Sequence, residues 1–247
     1  MDLISDGDVE QAKACNSRHC KRFYYHVPQV NIVVQTDEII RLTRIAYDKI
    51  AAKYHEDFNN EMQQKEYDRL LLDRFSAMLD VGSRICDAGC GPSAHIGKYL
   101  SDKGHRVTGI DISSRCIDIA KRNNPDMPCE VADIRNTGFG DNTFDAVISF
   151  YSIIYTPKMY VGEIFSEFRR ILRPGGKLLV VVKKGTDEGL IDHEYYEGNS
   201  VHFTHFMENE LEQFFSAAKF EIQFLDVRKP YDFEFNVDRI YGIASKR

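Results

Sequence analysis

Three aspartates, each ending a short apolar segment, are the residues of this 247-residue chain best placed to do chemistry. In Ile85-Cys86-Asp87-Ala88-Gly89-Cys90-Gly91-Pro92 an apolar run ends in an acid and turns through two glycines spaced one apart. The glycines let main chain approach a ligand where a side chain would collide, and a helix start beyond them offers unpaired N–H groups. Asp87 can accept hydrogen bonds from a cationic amino group. Asp111 ends the second segment, at the spacing where a carboxylate meets the two hydroxyls of a ribose. Asp133, in Val131-Ala132-Asp133-Ile134, can accept from an adenine amino group while the N–H of Ile134 donates to a ring nitrogen. A G-x-G turn alone does not separate these uses from dinucleotide binding.

A second set of reactive side chains lies in residues 185–206, which hold His193, Tyr195, Tyr196, His202 and His205. His202 and His205 flank Phe203 and are expected on different sides, so at most one faces an acceptor. They are the candidates for a general base, with Tyr151 or Tyr155 next in line. The six cysteines show no C-x-x-C pair. Cys15 and Cys20, beside His19, lack a second ligand pair, so no metal site is expected and the thiols read as free.

The elements that position these residues follow from apolar spacing. A helix is predicted from Asp37, with Ile40, Ile45, Ala46, Ile50 and Tyr54 near one face and Thr36 as its N-cap; a second spans 61–79. Beyond Gly82 strands and helices alternate. Strands are predicted at 84–87, 106–111, 129–132, 144–150 and 177–184, and helices at 94–103, 114–123 and 160–172. Residues 173–176 read as a turn. Short apolar strands separated by helices imply a parallel sheet covered on both faces. A helix over 207–218 and strands at 220–227 and 237–244 follow. The last two are joined without a helix, which predicts a hairpin and one antiparallel strand at the sheet edge.

The acidic N-terminal residues show no apolar stretch of the signal-peptide kind, and no apolar run approaches the roughly 18 residues of a membrane span. A cytoplasmic protein with no membrane partner is expected. A net charge of −6 argues against a nucleic-acid polyanion as main partner, since such binding rests on Lys/Arg contacts to phosphates.

The ordered series Asp87-Ala-Gly-Cys-Gly, Gly109-Ile-Asp-Ile-Ser, Ala132-Asp-Ile, Phe144-Asp-Ala-Val and Leu172-Arg-Pro-Gly-Gly-Lys-Leu resembles that of class I S-adenosylmethionine-dependent methyltransferases of the small-molecule type. The resemblance implies an α/β, Rossmann-like, doubly wound, mostly parallel seven-stranded sheet with one antiparallel edge strand and an N-terminal helical extension. It implies S-adenosyl-L-methionine as donor, held by Tyr54, Asp87, Gly89, Cys90, Gly91, Asp111, Ile112, Asp133, Ile134 and Phe150, with Cys90 acting chiefly through its main chain. Residues 46–54 resemble the helix that such proteins lay over the donor. Residues 1–81 are therefore expected to cap the site. Residues 82–247 are expected to form the core, with 185–206 and the region around Phe23, Tyr24 and Tyr25 closing over a small-molecule acceptor.

Methyl transfer to a hydroxyl or amino group is the leading expectation. Many similar family members carry a histidine where this chain has Tyr155, and Ser149-Phe-Tyr-Ser is not the tetrad that base N-methylating members carry. A protein or RNA methyltransferase, a non-catalytic methyltransferase-like subunit and an NAD-dependent oxidoreductase are the alternatives. The last would want a third glycine where this chain has Ala94.

Overall fold

The computed structural model describes residues 36–192 and 194–247. Cys15, Cys20, the Phe23–Tyr24–Tyr25 cluster and His193 lie outside them. In chain order the elements begin with α1 (Thr36–Phe58), a 3₁₀ turn (Glu61–Gln63) and α2 (Glu66–Ala77). The alternating part runs β1 (Arg84–Ala88), α3 (His95–Asp102), β2 (Arg106–Asp111), α4 (Ser114–Asn123), β3 (Cys129–Val131) and β4 (Phe144–Phe150). A 3₁₀ turn (Ile153–Tyr155), α5 (Lys158–Ile171) and β5 (Leu172–Lys183) complete it. The remainder is β6 (Glu188–Asp192), a 3₁₀ turn (Glu194–Tyr196), β7 (Ser200–Thr204), α6 (Glu208–Ala217), β8 (Phe220–Arg228) and β9 (Arg239–Lys246).

The strands of the seven-stranded sheet lie in the order β3-β2-β1-β4-β5-β9-β8. The first five are parallel, and β9 runs antiparallel to both β5 and β8, so the terminal hairpin occupies one end of the sheet. Side chains alternate across the strands. Cys86, Val147, Leu178, Val180 and Val182 face Ile164, Phe165 and Phe168 of α5 and Leu211 and Phe215 of α6. Ile85, Val107, Ile148, Leu179 and Val181 face Leu72 and Phe75 of α2, Leu100 of α3 and Ile117 of α4. Strands buried on both faces read as near-continuous apolar runs, which is why Leu178–Val182 carries no polar interruption. The strand order reverses between β1 and β4, and open α/β sheets place ligands at the carboxyl ends of the strands there.

Three local features differ from the sequence expectation. The second helix is interrupted after the turn at Glu61–Gln63, where Lys65 is buried and ion-paired to Glu61 at 2.7 Å. Residues 173–176 do not stand outside the sheet as a separate turn. They form an irregularity within β5, whose partners shift from Phe144–Leu172 to Ala146–Lys177. The 185–206 insertion, for which no strand is predicted, holds a β-hairpin with Glu188–Asp192 antiparallel to Ser200–Thr204.

Candidate active site

The turn after β1 is shaped by its two glycines, both at positive φ (84° for Gly89, 63° for Gly91). A Cβ built on Gly89 would fall 2.2 Å from Ser152 Cβ, so only glycine lets the loop after β4 approach the turn. Nothing lies within 4 Å of a Cβ built on Gly91, which borders open space. Ser152 Oγ donates to the Ala88 carbonyl at 2.6 Å and fastens the two loops together. Tyr151, between them, holds φ at +56°, a conformation that costs a bulky side chain energy and is concentrated at functional sites.

A cavity opens at this point, with an empty volume of ≈ 1010 Å³ that includes its mouth. All ten side chains or turn residues that the sequence marks for the donor line it: Tyr54, Asp87, Gly89, Cys90, Gly91, Asp111, Ile112, Asp133, Ile134 and Phe150. The carboxylates are held by main chain. Asp111 accepts from Gly91 N at 3.0 Å and Ser113 N at 2.9 Å, and Asp87 accepts from Gly97 N at 3.0 Å. Burial raises the Asp87 carboxyl to about 7 and that of Asp111 to about 6. Asp133 is differently engaged. Its carboxylate takes both Nε and a terminal nitrogen of Arg135, at 3.0 and 2.7 Å.

The roof is α1. Its Asp48 accepts from Ser113 Oγ at 2.6 Å, and His55 meets Ser93 Oγ at 3.1 Å, so the helix is pinned to the start of α4 and to the segment between the glycine turn and α3. Thr43, Tyr47 and Tyr54 face the cavity from it. The hairpin supports α1 from the other side: Tyr195 packs near Tyr54 and Phe58, with ring centroids 6.4 and 6.3 Å away, and Tyr196 near Tyr47 at 6.2 Å.

The two histidine candidates are not at the cavity wall. Folding 185–206 into a hairpin buries both. His202 Nε2 lies 3.0 Å from Thr204 Oγ1, on the same side of β7, and the His205 ring packs edge-on against Phe203 at 4.4 Å. Tyr151 and Tyr155, next in line as bases, do line it, and so do Glu61 and His95, which the sequence reading passed over. His95 Nε2 contacts Glu61 Oε1 at 2.9 Å. Burial would raise the Glu61 carboxyl, but His95 and Lys65 bring it down to about 2. Burial pushes Tyr151 up to about 12 and raises Tyr155 as well. His95 was open to notice, since it follows the glycine turn directly. Glu61 carries no local signal.

Residues 86–180 match the sequence model of the methyltransferase domain. That segment contains the glycine turn, Asp111, Asp133 and β4 described above. It is a methyltransferase domain, with the fold of S-adenosylmethionine-dependent methyltransferases. Over 140 residues, 54% of the chain, it is 31% identical to a demethylmenaquinone methyltransferase of Renibacterium salmoninarum, covering 55% of that protein. A malonyl-[acyl-carrier protein] O-methyltransferase of Enterobacter lignolyticus is 32% identical over 133 residues, 54% of this chain and 50% of its own. The match thus spans about half the length of these curated relatives. Among solved structures, a 1,6-didemethyltoxoflavin-N1-methyltransferase of Burkholderia thailandensis superposes with a TM-score of 0.67 at 17% identity, over 90% of this chain and 98% of that one. The methyltransferase fold therefore extends well beyond the matched segment. Among the described residues no helix is long and apolar enough to cross a membrane.

Proposed function

We propose that this chain transfers a methyl group from S-adenosylmethionine to a hydroxyl or amino group of a small-molecule acceptor. The observation that carries the reading is the continuity of one cavity from the glycine turn, past Asp87 and Asp111, to an aromatic wall roofed by α1. The residues present suit the donor. Gly91 borders open space, and the carboxylate of Asp111 is anchored by two N–H groups yet has no cation paired with it among the described residues. Among the same residues the Thr43 hydroxyl and His95 Nδ1, both buried, have no hydrogen-bond partner.

In this assignment Asp111 receives the ribose hydroxyls, Asp87 the ammonium, and Ile134 N–H with Asp133 the adenine edge. Tyr47, Tyr54 and Phe150 present ring faces beside them. The bound donor supplies a methyl group already activated by its sulfonium. The chain's task is then alignment and exclusion of water, and alignment alone is worth effective molarities of about 10⁵–10⁸ M. Residues 36–81 act as the cap and the β6–β7 hairpin as its buttress. Of the side chains at the wall, Glu61 is held as a weakly basic carboxylate and Tyr151 and Tyr155 hold their protons at neutral pH, which leaves the imidazole of His95 as the group there suited to take a proton. The relatives' names span O-, N- and C-methyl transfer, so the acceptor atom is read from this site rather than from them.

The test is incubation of the protein with methyl-tritiated donor and a fractionated cell extract. Label is expected in the low-molecular-weight fraction. Label confined to protein or RNA would overturn the small-molecule reading.

A further inference from the structure

Lys183 ends β5 with its Nζ over two rings, 5.1 Å from the centroid of Phe203 and 4.8 Å from that of Phe235. Among the described residues it has no hydrogen bond and no carboxylate partner, although two carboxylates are close enough to influence it. Both are committed elsewhere. Glu61 pairs with Lys65 at 2.7 Å and with His95, while Glu234 pairs with Arg228 at 2.8 Å and lies 3.4 Å from both Lys65 and Arg239.

Beside Lys183 stand two further buried nitrogen-bearing side chains, on residues 5% and 3% exposed. Among the described residues neither ring nitrogen of His205 has a hydrogen-bond partner, and Nε of Arg239, whose terminal nitrogen donates to the Phe235 and Val237 carbonyls, has only the Glu234 carboxylate at 3.4 Å. The nearest carboxylate to His205, on the exposed Asp187, is 3.7 Å from Nδ1, beyond hydrogen-bond reach. Burial, with Arg239 and Lys65 nearby, lowers the Lys183 ammonium to about 7; burial and Lys183 lower His205 to about 4. A buried ammonium without a matching anion is costly unless something pairs it.

The cluster lies behind the cavity wall, one ring removed from it. The Phe203 ring is 6.4 Å from that of Tyr155, and Lys65 Nζ is 5.6 Å above the ring of Tyr151; both tyrosines line the cavity away from the three aspartates. We propose that Lys183, with His205 and Arg239, forms an anion subsite that receives the carboxylate of an aromatic acceptor. The rings of Phe203, Phe235 and Tyr155 supply the apolar surface for its skeleton. This rests on the methyl-transfer reading and narrows its acceptor to an acidic one.

The experiment is calorimetric titration of the full chain, saturated with S-adenosylhomocysteine, with 4-hydroxybenzoate and with its neutral counterpart 4-hydroxybenzamide. The carboxylate is expected to bind at least about tenfold tighter, the order of one charge-assisted hydrogen bond. Lys183→Met should remove that preference while leaving S-adenosylhomocysteine affinity unchanged, and Lys183→Arg should restore most of it. Equal binding of the two probes overturns the subsite, as does binding of neither to donor-saturated protein or a preference that survives Lys183→Met. Failure of S-adenosylhomocysteine to bind at the outset is separately visible and removes both readings.

Discussion

At the glycine-turn end of the cavity the ligand-facing groups are fixed by main chain: Asp111 by Gly91 and Ser113, Asp87 by Gly97, and the turn by the close approach of Ser152. At the far end the walls are side chains drawn from separate elements. Tyr47 comes from α1 and Tyr151 and Tyr155 from the loop after β4, with Phe203 of the hairpin and Lys183 at the end of β5 packed behind them. A wall of side chains changes with single substitutions while the strand ends stay in place; a main-chain cradle does not. The family match at 86–180 contains the first end and, of the second, only the loop after β4.

The sharpest way to break that contrast is Gly89→Ala set beside Gly91→Ala. Both alanines must adopt a left-handed φ, at about 1–2 kcal/mol. Only the first also collides with Ser152, adding about 1–3 kcal/mol of overpacking. Denaturant melts should show Gly89→Ala as the more damaging by a clear margin, with donor affinity reduced beyond about a hundredfold. Equal losses would mean that the two loops are not locked together.

Asp111→Ala comes next. It leaves two ligand hydroxyls with poorer partners, at about 1–3 kcal/mol, so donor affinity should fall by roughly one to two decades with the fold intact. Unchanged affinity would reduce Asp111 to a cap for α4, which it also serves through Ser113 N.

The third effect is a pH dependence. Burial raises Asp87 to about 7, far above the roughly 3.9 of an unfolded aspartate. The folded protein therefore binds the extra proton across that interval, and this contribution to stability is lost as pH rises through about 7. Donor binding runs the other way, because an ammonium selects the ionised carboxylate. Affinity should rise by up to about tenfold per unit towards pH 7 and level off above it, and Asp87→Asn should flatten the profile. A wild-type profile already flat between pH 5.5 and 8 would contradict the assignment.

The smallest effect expected is at the aromatic end. Tyr195→Ala removes ring contacts to Tyr54 and Phe58 worth about 0.5–1.5 kcal/mol each. Amide exchange should quicken along α1 and the hairpin while β1, β2 and β4 keep their protection. Faster exchange in the central strands would show the roof to be part of one cooperative core.

This division also explains what could be read in the sequence. Asp87, Asp111 and Asp133 stand at strand ends and announce themselves by local pattern, as does the alternation of strands and helices. The aromatic end is assembled by contacts between distant segments, such as Lys65 with Tyr151 and Lys183 with Phe203 and Phe235, which leave no periodic mark. His202 and His205 misled for the same reason. Residue type suggested a base, but strand pairing of β7 with β6 set where the rings could go, and β7 with His205 after it is buried from Val201 onwards.

The central claim is that the glycine-turn end binds S-adenosylmethionine, and calorimetry with its demethylated product measures this directly. One molecule of S-adenosylhomocysteine per chain should bind with a micromolar-range constant and raise the melting temperature by mass action, and Asp111→Ala should weaken it by the margin given above. Absence of binding by S-adenosylhomocysteine and S-adenosylmethionine alike, with NAD bound in their place, would contradict the account.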